Sequence, residues 1–296
     1  MSATCSLLSD IKFSHTVFAL PFAFLGACMA GTMHGSPDWS IFAIQLQVVL
    51  ICMILARTSA MLGNRILDRN IDKTNPRTLG RALPSGKASL KTAVVLFVSI
   101  NLLFICATSV FGLMWNNWLP LVLSLPVLLW LGCYPLFKRF TWLCHIFLGS
   151  SLAISPIAAA IAIQPEALEH LPIWLLSGAV LCWVAGFDIV YALQDVEIDV
   201  RDNLKSMPAS LGLRPAMLIS QMLHCFCIAL LFGVSMFEPQ FGTLFLSAIV
   251  AIAILLIIEH ATVRRWGTTK IALTFFTLNG IVSLVLGVAG IVDLLS

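Results

Sequence analysis

The sequence has 296 residues, of which 59% are hydrophobic and only 10% charged, with a formal net charge of +3 and a mean hydropathy of +0.99. Soluble domains carry about 25% charged residues, so the composition excludes a water-soluble globular protein and points to an all-α polytopic membrane protein. The basic residues lie beside apolar runs with no soluble domain to present them, so nothing suggests a nucleic-acid partner or an obligate protein partner; membrane lipid is the expected surrounding.

About nine apolar segments follow one another at residues 14–34, 40–63, 90–113, 117–135, 142–163, 171–194, 213–236, 240–259 and 271–294. Each is close to the ~20 residues that cross ~30 Å of hydrocarbon as a helix. The first does not read as a signal peptide: Asp10 and Lys12 precede it and no small-residue cleavage site follows. Lysine and arginine gather before the first span and in the connections after the second, fourth, sixth and eighth, whereas "MHGSPD", "QPEALEH" and "FEPQ" carry none. The positive-inside rule then places the N-terminus and the basic connections in the cytoplasm.

The second span runs into "NRILDRNID", Asn64–Asp72, and the sixth ends in "DIVYALQDVEID", Asp188–Asp199. The spacing repeats: Asn64, Asp68 and Asp72 correspond to Tyr191, Asp195 and Asp199, each displaced by 127 residues. This suggests two similar halves, about 1–140 and 141–296, within a single 1–296 domain. Residues at i, i+4 and i+8 share one helical face, so Asp68 and Asp72 point the same way, as do Asp195 and Asp199. Four like charges at a membrane edge are costly to desolvate unless something positive joins them. Mg2+ suits them, because it takes oxygen ligands and binds through one or two carboxylates plus substrate phosphates.

A diphosphate ligand is the matching expectation. Arg77 and Arg81 lie in the compact "NPRTLGRALPSGK" loop, and Lys138 and Arg139 in "YPLFKRFT". Guanidinium grips phosphate through two parallel hydrogen bonds, although topology alone also accounts for loop cations. Tyr134 and Tyr191, the only two tyrosines, adjoin these stretches as phosphate donors or as interface anchors. Asp188 lies seven residues before Asp195, deeper on nearly the same face, and an intramembrane acid is a functional candidate by default. Asn279, Gln45 and Gln47 are expected to hydrogen-bond between helices, and Glu259 to be an interface charge. The nine cysteines form no C-x-x-C pair.

The ordered stretches N-x-x-x-D-R-x-x-D, R-T-x-x-R-x-L-P-S-G, Y-P-x-x-K-R-x-T and D-x-x-Y-A-x-x-D-x-x-x-D resemble those of the UbiA superfamily of membrane aromatic prenyltransferases. The chain is most similar to the 4-hydroxybenzoate polyprenyltransferase branch. "IKFSHTVFALPFAFLGA", "NRILDRNIDKTNPRT" and "WVAGFDIVYALQDVEID" look closer still to a subgroup attributed to futalosine-route menaquinone synthesis. The resemblance implies a nine-helix bundle around a central cavity, with both Asp motifs at its cytoplasmic mouth. It implies a bacterial inner-membrane location, Mg2+, a polyprenyl diphosphate donor and a small aromatic acid acceptor in ubiquinone or menaquinone biosynthesis.

Carried over by position, Asn64, Asp68, Asp72, Asp195 and Asp199 match the metal site. Arg69, Arg77, Arg81, Lys138 and Arg139 match cations around the diphosphate, with Tyr134 beside them. Asp188, Tyr191 and Asp195 fall where chemistry is expected, and Lys12 and His15 match a basic pair suited to the acceptor's carboxylate. Arg65 departs from the pattern, since many members have Asp there. Haem farnesyltransferases share the superfamily fold and remain a rival reading; an ion-coupled transporter is a more distant one, because its acids would lie near the midplane.

Overall fold

The computed structural model describes residues 3–11, 18–271 and 273–296, so Lys12 and His15 lie outside the described residues. In chain order the helices are α1 (Ala3–Asp10), α2 (Leu20–Thr32), α3 (Trp39–Thr74), α4 (Leu90–Trp115), α5 (Leu119–Cys133) and α6 (Cys144–Ile163). They continue with α7 (Leu171–Ala192), α8 (Val196–Arg201), α9 (Met207–Leu211), α10 (Leu213–Phe237), α11 (Thr243–Trp266) and α12 (Asn279–Leu295). Among the described residues eight helical stretches are long and apolar enough to cross a membrane, and α2 is a shorter apolar helix. Each coincides with one of the nine expected segments, and the protein is an integral membrane protein of all-helical fold.

The helices begin and stop for local reasons. Asp38 starts α3 by accepting the amides of Ser40 at 2.9 Å and Ile41 at 3.3 Å, which, with the Ser40 hydroxyl, holds its carboxyl below the usual carboxylate range. Ser89 caps α4 through the Thr92 amide at 3.1 Å. Asn116 ends α4 in the left-handed conformation at φ 56°. One difference from the sequence expectation matters. The helix of the sixth span is interrupted: α7 stops at Ala192, a 3-10 turn covers Leu193–Asp195, and α8 resumes at Val196. Tyr191, Asp195 and Asp199 therefore do not share one continuous α-helical face, whereas Asn64, Asp68 and Asp72 do, because α3 runs unbroken to Thr74.

The chain groups into two compact units, one holding the described residues up to Thr16 together with Gln47–Phe137, the other those of Val17–Leu46 with Lys138–Ser296. In the first unit, Leu7 and Ile11 around α1 pack with Leu62 of α3, Ala82 and Ala88 of the following loop, and Ala93 of α4. Asp10 fixes that loop by accepting the Ala82 amide at 2.5 Å.

In the second unit the core centres on α7. Trp183 contacts Phe18, Phe22 and Phe187 through tilted and edge-on rings. Its indole N–H donates to Asn279 Oδ1 at 2.8 Å, and Asn279 Nδ2 reaches Glu259 Oε1 at 3.4 Å. Asn279 thus bonds between helices as expected. Glu259 does not sit at an interface: it is 1% exposed, held among α11 and α12 by that amide. Small residues bring helices close in this unit, since a Cβ on Gly26 of α2 would run into the backbone of Pro156 in α6.

Candidate active site

The C-terminal end of α3 carries the first motif. Its continuous helix puts Asn64, Asp68 and Asp72 on one face. Asp68 is 2% and Asp72 5% exposed, so both carboxylates are shut away from bulk water. Asp72 is clamped by Arg81, whose Nη1 donates to both carboxylate oxygens at 2.7 and 2.8 Å. The loop is folded to allow this. Thr78 Oγ1 donates to the Asp72 carbonyl at 3.0 Å, and Asn75 Oδ1 accepts the Arg77 amide at 2.9 Å in an Asx-type turn. Asn64 Nδ2 donates to the Tyr134 hydroxyl at 3.4 Å. Arg77 is exposed on the loop. Arg69 does not join the Asp face: its Nη1 turns back onto its own helix at the Ile66 carbonyl, 2.9 Å away.

Two arginines outside the expected site residues, Arg57 and Arg65, belong to this region. Arg57 and Arg65 on α3 each bury an Nε–H that has no hydrogen-bond partner. Arg57 lies seven residues before Asn64, two turns deeper on the same face. An unspent guanidinium donor inside a membrane helix is a ready receptor for an anion. The i, i+7 spacing was the available signal, hidden because Arg57 also satisfies the positive-inside count.

The second motif belongs to the other unit. Tyr191, Asp195 and Asp199 are all half-buried. Asp199 terminates α8 through its carbonyl, which accepts the Leu204 amide at 2.7 Å. Lys138 is half-buried and Arg139 exposed, and the Lys138 carbonyl accepts the Lys205 amide at 2.6 Å. That bond ties Lys138 to the segment following the motif. Asp188 on α7 is met by a residue that no motif announced. His145, in the first turn of α6, approaches Asp188 Oδ2 with Nδ1 at 2.7 Å, and its Nε2 accepts the Met207 amide at 3.2 Å.

Among the described residues no three His, Cys, Asp or Glu side chains converge. The donor chemistry nonetheless suits a divalent hard cation, since each motif offers a carboxylate pair and Mg2+ fills its sphere with waters and phosphate oxygens.

Comparison with known proteins bears on this arrangement. A family model described as the UbiA prenyltransferase family matches residues 19–281. The 4-hydroxybenzoate octaprenyltransferase of Saccharophagus degradans is 31% identical over 208 residues, 70% of this chain and 64% of that protein. The protein of the same name from Francisella tularensis subsp. novicida is 27% identical over 263 residues, 88% of this chain and 87% of that one. The apo structure of a UbiA homologue from Aeropyrum pernix superposes with a TM-score of 0.82 at 29% identity, covering 95% of this chain and 98% of that one. A UbiA homologue from Archaeoglobus fulgidus bound to DMAPP and Mg2+ shares the fold, with a TM-score of 0.69 at 19% identity over 99% of both chains.

Proposed function

Because this chain belongs to the UbiA prenyltransferase family, we propose that it transfers a polyprenyl group from a prenyl diphosphate to a small aromatic carboxylic acid in quinone biosynthesis. The acceptor is 4-hydroxybenzoate or a dihydroxynaphthoate, reached from the cytoplasmic side of a bacterial inner membrane. The observation that carries this reading is the C-terminal end of α3. Two carboxylates are nearly closed to water, one of them is forked by Arg81, and the same face bears a membrane-buried arginine with an unspent donor. Carboxylates are hard oxygen ligands for a divalent cation, and an unspent guanidinium donor is a receptor for an anion. A metal diphosphate suits the acids and an aromatic carboxylate suits Arg57. The names of the relatives and the DMAPP and Mg2+ bound by the A. fulgidus homologue agree with it.

Asp68 and Asp72 in one unit, and Asp195 and Asp199 in the other, would hold Mg2+, with Asn64 beside the first pair. When bound, Mg2+ supplies neutralisation of the charge that develops on the departing diphosphate. Arg81 keeps further N–H donors beyond the Nη1 it gives Asp72, and with Arg77 it offers cations to diphosphate oxygens, as Lys138 and Arg139 do in the other unit. The allylic C–O bond breaks with its electron pair leaving on the diphosphate. A ring carbon beside the acceptor's hydroxyl forms the new C–C bond, and the proton that this carbon then loses passes to the released diphosphate. Asp188 takes the hydroxyl proton, making the ring a better nucleophile. Apolar helices exclude water that would otherwise capture the allylic cation.

The test is prenyl transfer by purified protein in liposomes, with geranyl diphosphate as donor and 4-hydroxybenzoate or 1,4-dihydroxy-6-naphthoate as acceptor. A product of the expected mass, lost with EDTA and restored by Mg2+, is the predicted result. No product with either acid, from folded protein that binds the donor, would remove the aromatic-acid reading. Arg57→Ala is expected to raise KM for the aromatic acid by about tenfold or more, the worth of one hydrogen bond to a charged group. KM for geranyl diphosphate should change little. An equal rise in both would place Arg57 elsewhere.

A further inference from the structure

His145 belongs to no motif, yet beside Asp188 it is held by both of its ring nitrogens. Its imidazole is 4% exposed, while the Asp188 carboxylate it meets is 21% exposed. The ring joins three segments: the first turn of α6, the C-terminal part of the motif-bearing α7, and the start of α9 at Met207. The direction of both hydrogen bonds follows from chemistry. A backbone amide can only donate, so His145 Nε2 is the acceptor for Met207 and carries no hydrogen. The neutral ring must then bear its hydrogen on Nδ1, which donates to Asp188 Oδ2 at 2.7 Å. One carboxylate oxygen is thereby occupied and the plane of the group fixed. The other oxygen is left to face whatever approaches the exposed part of the side chain.

We propose that His145 is a positioning residue for the transfer reaction: through its Nδ1–H it locks the Asp188 carboxylate so that the second oxygen takes the proton of the acceptor's hydroxyl. This rests on the aromatic-acid reading above. The O–H bond of the acceptor breaks, the proton moves to Asp188 to give the carboxylic acid, and the electron pair stays on the phenolate oxygen. His145 does not exchange a proton in this step; the Met207 amide holds it in the one tautomer that donates to Asp188. The loop after the second Asp motif thus controls the orientation of the proton acceptor through a single ring.

Three substitutions separate this role from a purely structural one. Asparagine places an amide N–H2 where Nδ1 stood and keeps the donor to Asp188, but it cannot reach Met207. Glutamine places its amide oxygen near the Nε2 position and keeps the acceptor for Met207, but it offers Asp188 nothing. Alanine keeps neither. The measurement is steady-state transfer to the preferred aromatic acid, with kcat and both KM values, alongside thermal stability in the same detergent. H145A and H145Q are expected to lower kcat about 10- to 100-fold, the range for a group that orients a functional residue, with KM for the donor within about twofold of wild type. H145N is expected to restore most of the lost kcat even though it is the less stable of the two amides. In D188N, H145Q should add no further loss, since the two residues act as one unit.

If H145Q is as active as wild type while H145N is impaired, His145 serves only to pin the Met207 loop and the proposal is overturned. Equal kcat in all three variants overturns it as well. A wild-type protein that binds donor but prenylates no aromatic acid overturns the underlying reading and the positioning role with it. That outcome is distinct, because it appears before any His145 variant is compared.

Discussion

Asp68→Asn is expected to lower prenyl transfer about a thousandfold, and Asp195→Asn to do the same, with the helical signal and thermal stability close to wild type. The size follows from the several kcal/mol by which a bound divalent cation stabilises a departing anion, at about 1.4 kcal/mol per factor of ten. The substitution is isosteric and takes a charge away from a position only 2% exposed. With the fold kept, loss of activity can be assigned to the site. Product mass under saturating Mg2+ is the readout, with circular dichroism as the control for folding. A D68N protein that turns over at the wild-type rate across a range of Mg2+ concentrations would remove Asp68 from the metal site.

Gly26→Ala is expected to be the most damaging single-methyl change in the second unit. The three heavy atoms nearest to a Cβ there are all backbone atoms of Pro156. No side chain can rotate aside, and α2 and α6 must separate. The cost is at least the ~1–3 kcal/mol of overpacking a tight core, seen as a lower unfolding temperature in detergent. Gly132→Ala is the matched control: it lies in α5, nothing stands within 4 Å of its Cβ, and helix propensity alone predicts a gain of up to about 1 kcal/mol. If the two substitutions shift the unfolding temperature equally, the close approach of α2 and α6 is not limiting.

The membrane spans and the repeated aspartates could be read in advance, because crossing hydrocarbon demands a length of apolar chain that few other roles require. Which way each helix faces could not. In water an amphipathic stripe marks the buried side; in lipid both the protein interior and the surroundings are apolar. Leu102 and Leu103 of α4 and Leu129 of α5 are more than half exposed, while Leu176 of α7 is wholly buried, and nothing in their chemistry tells them apart.

The same blindness hid the polar contacts that matter. Glu259 looked like a charge beside a basic turn, yet Asn279, twenty residues on, holds it inside the protein. The pairing of His145 with Asp188 spans 43 residues and two helices, so no local pattern encodes it. Arg69, which its position beside Asp68 recommends, turns away because neighbouring residues on a helix point about 100° apart. The 3-10 turn at Leu193–Asp195 likewise gave no sign, since no glycine or proline marks it.

The unbroken course of α3 from Trp39 to Thr74 has a bearing on how this protein tolerates change in length. Arg57, Asn64, Asp68 and Asp72 sit on one rigid ladder, each at a height and angle set by the same 1.5 Å and 100° step. Single substitutions can retune any one of them and leave the rest in place. Adding or deleting one residue anywhere between Arg57 and Asp72 would swing everything on one side of the change through about a quarter of a turn. The acids and the arginine would then no longer share a side. The loop of residues 75–89 is held by individual contacts, such as Thr78 on the Asp72 carbonyl, Arg81 on the Asp72 carboxylate and Ala82 on Asp10, rather than by a helical register. Variation in length should accumulate there, and the stretch that holds the chemistry should change only letter by letter.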